Sequence, residues 1–256
     1  METFYERGDQ YDAQHKHLTN DVAFYRALAR DHGGPILELA CGTGRILAPL
    51  AEDGHDVVGI DLEESMLAVS RAKLSNSASA QLLQGDMRYF DLGRKFRLIL
   101  LPFNSLGHLY ERADVENCFE RVKQHLSDDG LFVISMFNPD LRLLMRGPDD
   151  FREVSRYLDP ESAREVVVTE AASYDRATQV ITSNWHYSSG SQEFQNRLRL
   201  RIFFPQELEA LLHYAGFAIR KRFGNFDRTE FTSASPHQII LAAVATPSPT
   251  LDSRGA

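Results

Sequence analysis

Pro35-Ile36-Leu37-Glu38-Leu39-Ala40-Cys41-Gly42-Thr43-Gly44-Arg45, followed by Val57-Val58-Gly59-Ile60-Asp61-Leu62, decides the fold. The apolar run Ile36 to Leu39 predicts a short, fully buried parallel strand. Gly42 and Gly44 predict a tight turn whose backbone can approach a ligand, because neither carries a side chain. A helix is predicted over 45–53, with Ile46, Leu47, Leu50 and Ala51 on one face and Gly54 as its stop signal. A second strand over 56–60 ends at Asp61. A carboxylate at that strand tip is placed to accept hydrogen bonds from a ribose diol at the crevice of a doubly wound sheet.

Two classes of nucleoside ligand suit that geometry. The dinucleotide fingerprint needs a third small residue, and counting from Gly42 that position is Leu47, too bulky for the close helix packing required. Nicotinamide and flavin are therefore disfavoured. The acid-x-small-x-Gly-x-Gly pattern from Glu38 through Ala40 and Gly42 to Gly44 resembles the nucleoside-binding turn of class I S-adenosylmethionine (SAM) dependent methyltransferases. Ala40 is a departure, since the family often has glycine there. Taken alone, the turn also suits a βαβ unit without a ligand.

Two further stretches carry the resemblance. Gly85-Asp86-Met87 follows a predicted third strand, and Leu126-x-x-x-Gly130-Leu131-Phe132-Val133-Ile134 is similar to the family's passage from a helix through a turn into the fifth strand. Together they span about residues 30 to 140. The likeness extends to sugar N-methyltransferases and glycine N-methyltransferase through Gln84 to Arg88, Asn104 to Leu109 and the later antiparallel segment. It implies SAM as cofactor, S-adenosylhomocysteine (SAH) as product, and a binding set of Glu38, Ala40, Cys41, Gly42, Gly44, Asp61, Leu62, Met66, Asp86, Met87 and Leu101. Within that set Met66 would pack on adenine or ribose, Asp86 would accept from the adenine amine, and Met87 would offer an apolar face. Arg45 is a candidate partner for the donor's carboxylate, and Tyr11 for that carboxylate or the sulfonium.

The bulk numbers narrow the rest. A chain of 256 residues, 43% hydrophobic and 25% charged, suits one elaborated α/β domain. A formal charge of -8 argues against a nucleic-acid partner, which needs a basic surface. No apolar run is long enough for a bilayer and the N-terminus lacks signal-peptide character, so a cytoplasmic protein without a membrane partner is expected. Cys41 and Cys118 imply neither a disulfide framework nor a metal site.

The expected organisation is a helical N-terminal lid over 1–34, a Rossmann-like core over 35–140, an inserted antiparallel substrate cap over 141–204, the end of the core over 205–246 and a disordered tail over 247–256. Tyr5, Tyr11 and His15 are candidate lid residues. Phe96 to Leu101 reads as a central strand and Leu131 to Phe137 as the strand after the Asp128-Asp129-Gly130 turn. In the cap, Val166 to Thr169, Gln179 to Tyr187 and Gln192 to Phe204 read as strands. Phe217 to Phe223 and Gln238 to Val244 complete a doubly wound, seven-stranded, mostly parallel sheet with an antiparallel edge. Arg197, Arg199 and Arg201 alternate with Leu198, Leu200 and Ile202, so one strand face is basic. That face suits an acidic substrate group or, as the favoured reading, is a solvated cationic surface.

Methyl transfer requires alignment, exclusion of water and removal of one proton. His108, just after the fourth strand, is the first candidate for the proton. Asn104 is the candidate for orienting the acceptor, a small molecule with nitrogen favoured over oxygen, and Tyr11 completes the catalytic set. Other uses of the same donor, such as aminopropyl transfer or cyclisation, and SAM binding without catalysis remain open at this point. A monomer or a homodimer is expected.

Overall fold

The structure, a computed structural model, describes Tyr5, residues 7–75 and residues 77–245; the expected tail over 247–256 lies outside the described residues. Seven strands form the main sheet: β1 (Ile36–Leu39), β2 (Val57–Asp61), β3 (Ala80–Gln84), β4 (Phe96–Leu101), β5 (Leu126–Phe137), β10 (Phe217–Phe223) and β11 (His237–Val244). Their order is β10-β11-β5-β4-β1-β2-β3. β1 pairs in parallel with both β2 and β4, and β11 runs antiparallel between β5 and β10. The chain order reverses between β1 and β4, which opens a crevice at their carboxyl ends.

The strands are apolar on both faces because both are covered. Leu37, Ile99, Leu101 and Ile134 pack with α5 (Arg112–His125) and α6 (Pro205–Tyr214). The alternate residues Ile36, Leu98, Leu100 and Val133 pack with α2 (Asn20–His32), α3 (Leu47–Glu52) and α4 (Glu64–Leu74).

β5 starts earlier than the sequence suggests. Phe96 pairs with Leu126 and Leu98 with Leu131, so Asp128-Asp129-Gly130 forms an irregularity inside the strand instead of a turn before it. Such a bulge keeps the apolar residues on their faces while absorbing the extra ones.

The inserted segment is a four-stranded antiparallel sheet of β6 (Arg152–Leu158), β7 (Glu165–Asp175), β8 (Val180–Ser189) and β9 (Gln192–Arg201). β6 is an edge strand whose exposed Arg152, Glu153 and Val154 hid it from a search for buried alternation. The first helix, α1 (Gly8–His15), docks on this sheet: Tyr187 Oη donates to Gln14 Oε1 at 3.2 Å, and Gln10 Nε2 donates to Asp159 Oδ2 at 3.2 Å. α2 instead buries Phe24, Tyr25 and Leu28 against the main sheet, so among the described residues of 1–34 it is Tyr5 and the first helix that lie over the crevice. No helix among the described residues is long and apolar enough to cross a membrane.

Candidate active site

A cavity of about 530 Å³ lies over the carboxyl ends of β1, β2, β3 and β4 and beneath α1 and the inserted sheet. At its floor the Asp61 carboxylate accepts from the backbone N–H of Gly42 at 2.7 Å and of Glu63 at 2.9 Å. Burial raises its pKa against these bonds, which favour the charged form. Each oxygen keeps a further lone pair, so the carboxylate both fixes the glycine turn and can accept from a ligand diol.

Glu38 stands one strand over and is 2% exposed. Its Oε2 is buried without a hydrogen-bond partner, and burial drives its pKa well above the usual carboxylate value. An orphaned carboxylate oxygen in a cavity wall calls for a donor from a ligand. Ala40, Cys41, Gly42, Leu62, Met66 and Met87 also line the cavity.

Five expectations need amendment. Leu101 does not line the cavity: it is fully buried in the core, and Pro102, the next residue, reaches the wall instead. Gly44 is not in the wall either. A Cβ there would lie 2.5 Å from Ser70 Oγ, so this glycine, at φ +75°, serves the approach of α4. Arg45, expected to meet the donor's carboxylate, is already engaged: its terminal nitrogens donate to both Asp21 oxygens at 2.8 and 2.6 Å. Asp86 lines the cavity, but Arg88 donates to its carboxylate from Nε and Nη2 and holds its pKa low. Asn104 sits in a left-handed conformation at φ 64°, and its Oδ1 accepts from Phe137 N at 2.6 Å. Its carbonyl therefore ties the loop after β4 to the end of β5.

The opposite end of the cavity is aromatic. Tyr5 Oη and His108 Nε2 share a hydrogen bond of 2.8 Å, and Ser65 Oγ donates to Tyr5 O at 2.7 Å. Tyr11 and His15 pack at 4.3 Å between ring centres, and His15 meets Phe103 edge-on at 5.4 Å. Burial pushes both His108 and His15 down to about 4, so both rings are neutral near pH 7. Phe103, Phe137, Tyr110 and Trp185 also reach the cavity, and sequence reasoning did not assign them to it. Trp185 had one signal: it is the single tryptophan of the chain and lies in a polar strand.

The site fits the donor nucleoside on its own evidence, since Asp61 and the orphaned Glu38 oxygen lie in one cavity beside a glycine turn. Residues 36–130 match a family described as a methyltransferase domain. The chain is a SAM-dependent methyltransferase.

This methyltransferase is 28% identical over 226 residues, covering 84% of each chain, to the dTDP-3-amino-3,6-dideoxy-alpha-D-glucopyranose N,N-dimethyltransferase of Streptomyces fradiae. It is 33% identical over 128 residues, 50% of its length and 51% of the relative's, to the dTDP-3-amino-3,4,6-trideoxy-alpha-D-glucopyranose N,N-dimethyltransferase of Streptomyces venezuelae. Its fold is similar to that of the CcbJ methyltransferase from Streptomyces caelestis, with a TM-score of 0.78 and 26% identity over 89% of this chain and 90% of that one. The methyltransferase thus has the class I α/β fold, with the antiparallel sheet as its elaboration.

Proposed function

We propose that this methyltransferase acts on an amine nitrogen of a small molecule of the amino-sugar type. The observation that carries the reading is one cavity with two carboxylates at one end, Glu38 fully buried and Asp61 partly so, and a neutral imidazole among aromatic rings at the other. The two curated relatives, both named as N,N-dimethyltransferases of amino sugars, support nitrogen as the acceptor atom.

When bound, SAM supplies a methyl group on a positively charged sulfur, open to in-line displacement. Asp61 would hold its ribose hydroxyls and the orphaned Glu38 oxygen would take its ammonium group, while Met66 and Met87 would cover the adenine end. Asp86, tied to Arg88, serves this end by fixing the loop after β3 and by accepting on a remaining lone pair. Arg45 is assigned to joining the glycine turn to Asp21. Tyr11, which lines the same cavity, would meet the carboxylate end of the donor.

The remaining residues serve the acceptor. Tyr5, Tyr11 and His15 exclude water from above, which strengthens every polar contact beneath them. His108, neutral and hydrogen-bonded to Tyr5, can take the proton released by the amine. A ring with so low a pKa holds that proton weakly, so orientation supplies more of the rate than basicity does.

The experiment is incubation of the full chain with SAM and a panel of primary and secondary amines, hydroxyls and carboxylates, read by mass spectrometry. A methyl mass increment on amines with stoichiometric SAH supports the reading. Transfer confined to hydroxyls or carboxylates rejects it, as does methylthioadenosine in place of SAH.

A further inference from the structure

Asn104 is bonded at every polar group but one. Its backbone N–H donates to Ser135 O at 3.0 Å, its backbone carbonyl accepts from Gly107 N at 2.8 Å, and its Oδ1 accepts from Phe137 N at 2.6 Å. The last of these fixes which way the amide faces, because a backbone N–H needs an oxygen opposite it. The amide nitrogen is left over. Nδ2 bonds to none of the described residues, although Asn104 is only 9% exposed, and it is not among the polar atoms sealed inside the protein. The open space that Asn104 borders is the cavity, so this nitrogen offers its hydrogens there.

The backbone is bent to hold the side chain in that place. Phe103 and Asn104 take the left-handed region in succession, at φ 54° and 64°, which a phenylalanine adopts only under constraint. The constraint comes from β5. Ser135 Oγ accepts from Phe103 N at 3.1 Å and is itself held by Tyr25 Oη at 2.9 Å, beside the bonds that Ser135 and Phe137 make to Asn104. A donor fixed in this way cannot rotate to present an oxygen instead, so it recognises only atoms with a lone pair to give.

That atom belongs to the substrate but is not the reacting nitrogen. Asn104 directly precedes the Ser105–His108 turn and shares the cavity wall with His108. An amine attacks the donor's methyl group with its lone pair, and a hydrogen bond from Nδ2 to that lone pair would hold the reaction back. An oxygen beside the amine takes the bond without this cost. Once the substrate fills the cavity and excludes water, an amine lacking that oxygen leaves Nδ2 buried without a partner and is penalised.

We propose that Asn104 sets the specificity of the transfer: Nδ2 donates to a hydroxyl oxygen on the carbon next to the one that bears the amine, so the substrate class is the amino alcohol and a plain alkyl amine is rejected. This rests on the small-molecule amine reading above and narrows it.

The full chain is assayed with SAM and two methyl glycosides: that of 3-amino-3,6-dideoxyglucose, with a hydroxyl on either side of the amine, and that of its 2,4-dideoxy counterpart, with none. kcat/KM favours the first by about thirtyfold. Asn104→Asp keeps the left-handed preference and an oxygen for Phe137 N but exchanges the donor for an oxygen, and it brings the two glycosides within about threefold of each other. Any general effect of the new charge on an amine falls on both alike. Asn104→Gly, which also accepts the left-handed backbone, removes the amide and gives the same convergence. SAH affinity, measured by calorimetry, stays within about twofold in Asn104→Asp. Equal use of the two glycosides by the parent overturns the proposal, as does a preference that survives both substitutions. A loss of about tenfold in SAH affinity in Asn104→Asp overturns it too, by assigning Nδ2 to the donor's carboxylate. Absence of methyl transfer to either amine, whatever else is methylated, is a different result: it removes the amine reading and this one with it.

Discussion

The floor and the roof of the cavity are held by different kinds of bond. The floor is backbone: parallel ladders bring the ends of β1, β2 and β4 together, and the Gly42 and Glu63 amides fix Asp61 within that frame. The roof is held by side chains that meet across long stretches of sequence, as in Tyr5 with His108, Gln14 with Tyr187 and Gln10 with Asp159. Among the described residues its own apolar cluster has Tyr157, Val166, Val168 and Tyr187 as buried members, against the two large clusters that flank the main sheet. A region with few buried contacts opens at lower cost than the core it covers. On the function proposed above, the floor would stay preorganised for the donor while the roof would admit and release the acceptor.

The largest test of that division is Asp61→Ala. Loss of charge-assisted hydrogen bonds worth about 3 kcal/mol together lowers SAM affinity about a hundredfold, measured by calorimetry with circular dichroism as the control for folding. Trp185→Ala in the roof leaves that affinity nearly intact. Comparable losses of SAM affinity from the two variants would break the distinction between floor and roof.

Glu38→Gln sharpens it at a smaller scale, with opposite signs for binding and stability. The carboxylate is buried and its Oε2 has no partner, so its charge is disfavoured in the ligand-free fold. An amide of the same shape removes that cost and raises stability by about 1 kcal/mol, or ~2–4 °C in Tm for a chain of this size. SAM affinity falls about tenfold, since the ammonium of the donor loses its counter-charge. A lower Tm would mean instead that the fold needs this charge, with Arg45 as the cation that uses it.

The difference between the regions also explains what could be read before the structure was known. β1, β2 and β4 are near-continuous apolar runs, and the glycine turn and strand-tip acid are local in sequence, so the floor is legible from residues 35–62 and 96–101. Errors within the floor were matters of direction. Leu101 is one residue short of the wall, because the last strand residue still points into the core. Gly44 meets Ser70 where the turn pattern implies a ligand. Asp86 and Arg88, two residues apart, carried a local signal of their own pairing. Asn104 did too, since asparagine favours the left-handed backbone it adopts. The roof was legible only as a change of period and a set of aromatic residues. Tyr5 and His108 are 103 positions apart and Gln14 and Tyr187 are 173, and no local pattern encodes such a meeting.

A further expected effect is a dependence of the roof on pH. Burial pushes His15 and His108 from the usual 6.5 down to about 4 in the folded chain, so below pH 6.5 the unfolded chain binds protons that the folded chain refuses. Stability is full above about pH 6.5, declines as pH falls toward 4, and levels off once the folded rings are protonated as well. Each ring accounts for at most about 3 kcal/mol, and nearer 1–2 kcal/mol after allowance for solvent at the cavity. Glu38 acts in the other direction, since its raised pKa lets the folded chain take up a proton early and recover stability. Urea midpoints at pH 7.5 and 4.5 for the parent and for the His15→Gln/His108→Gln variant separate these contributions. The parent loses more between the two values than the variant does, and parallel losses would place the acid-sensitive groups elsewhere in the fold.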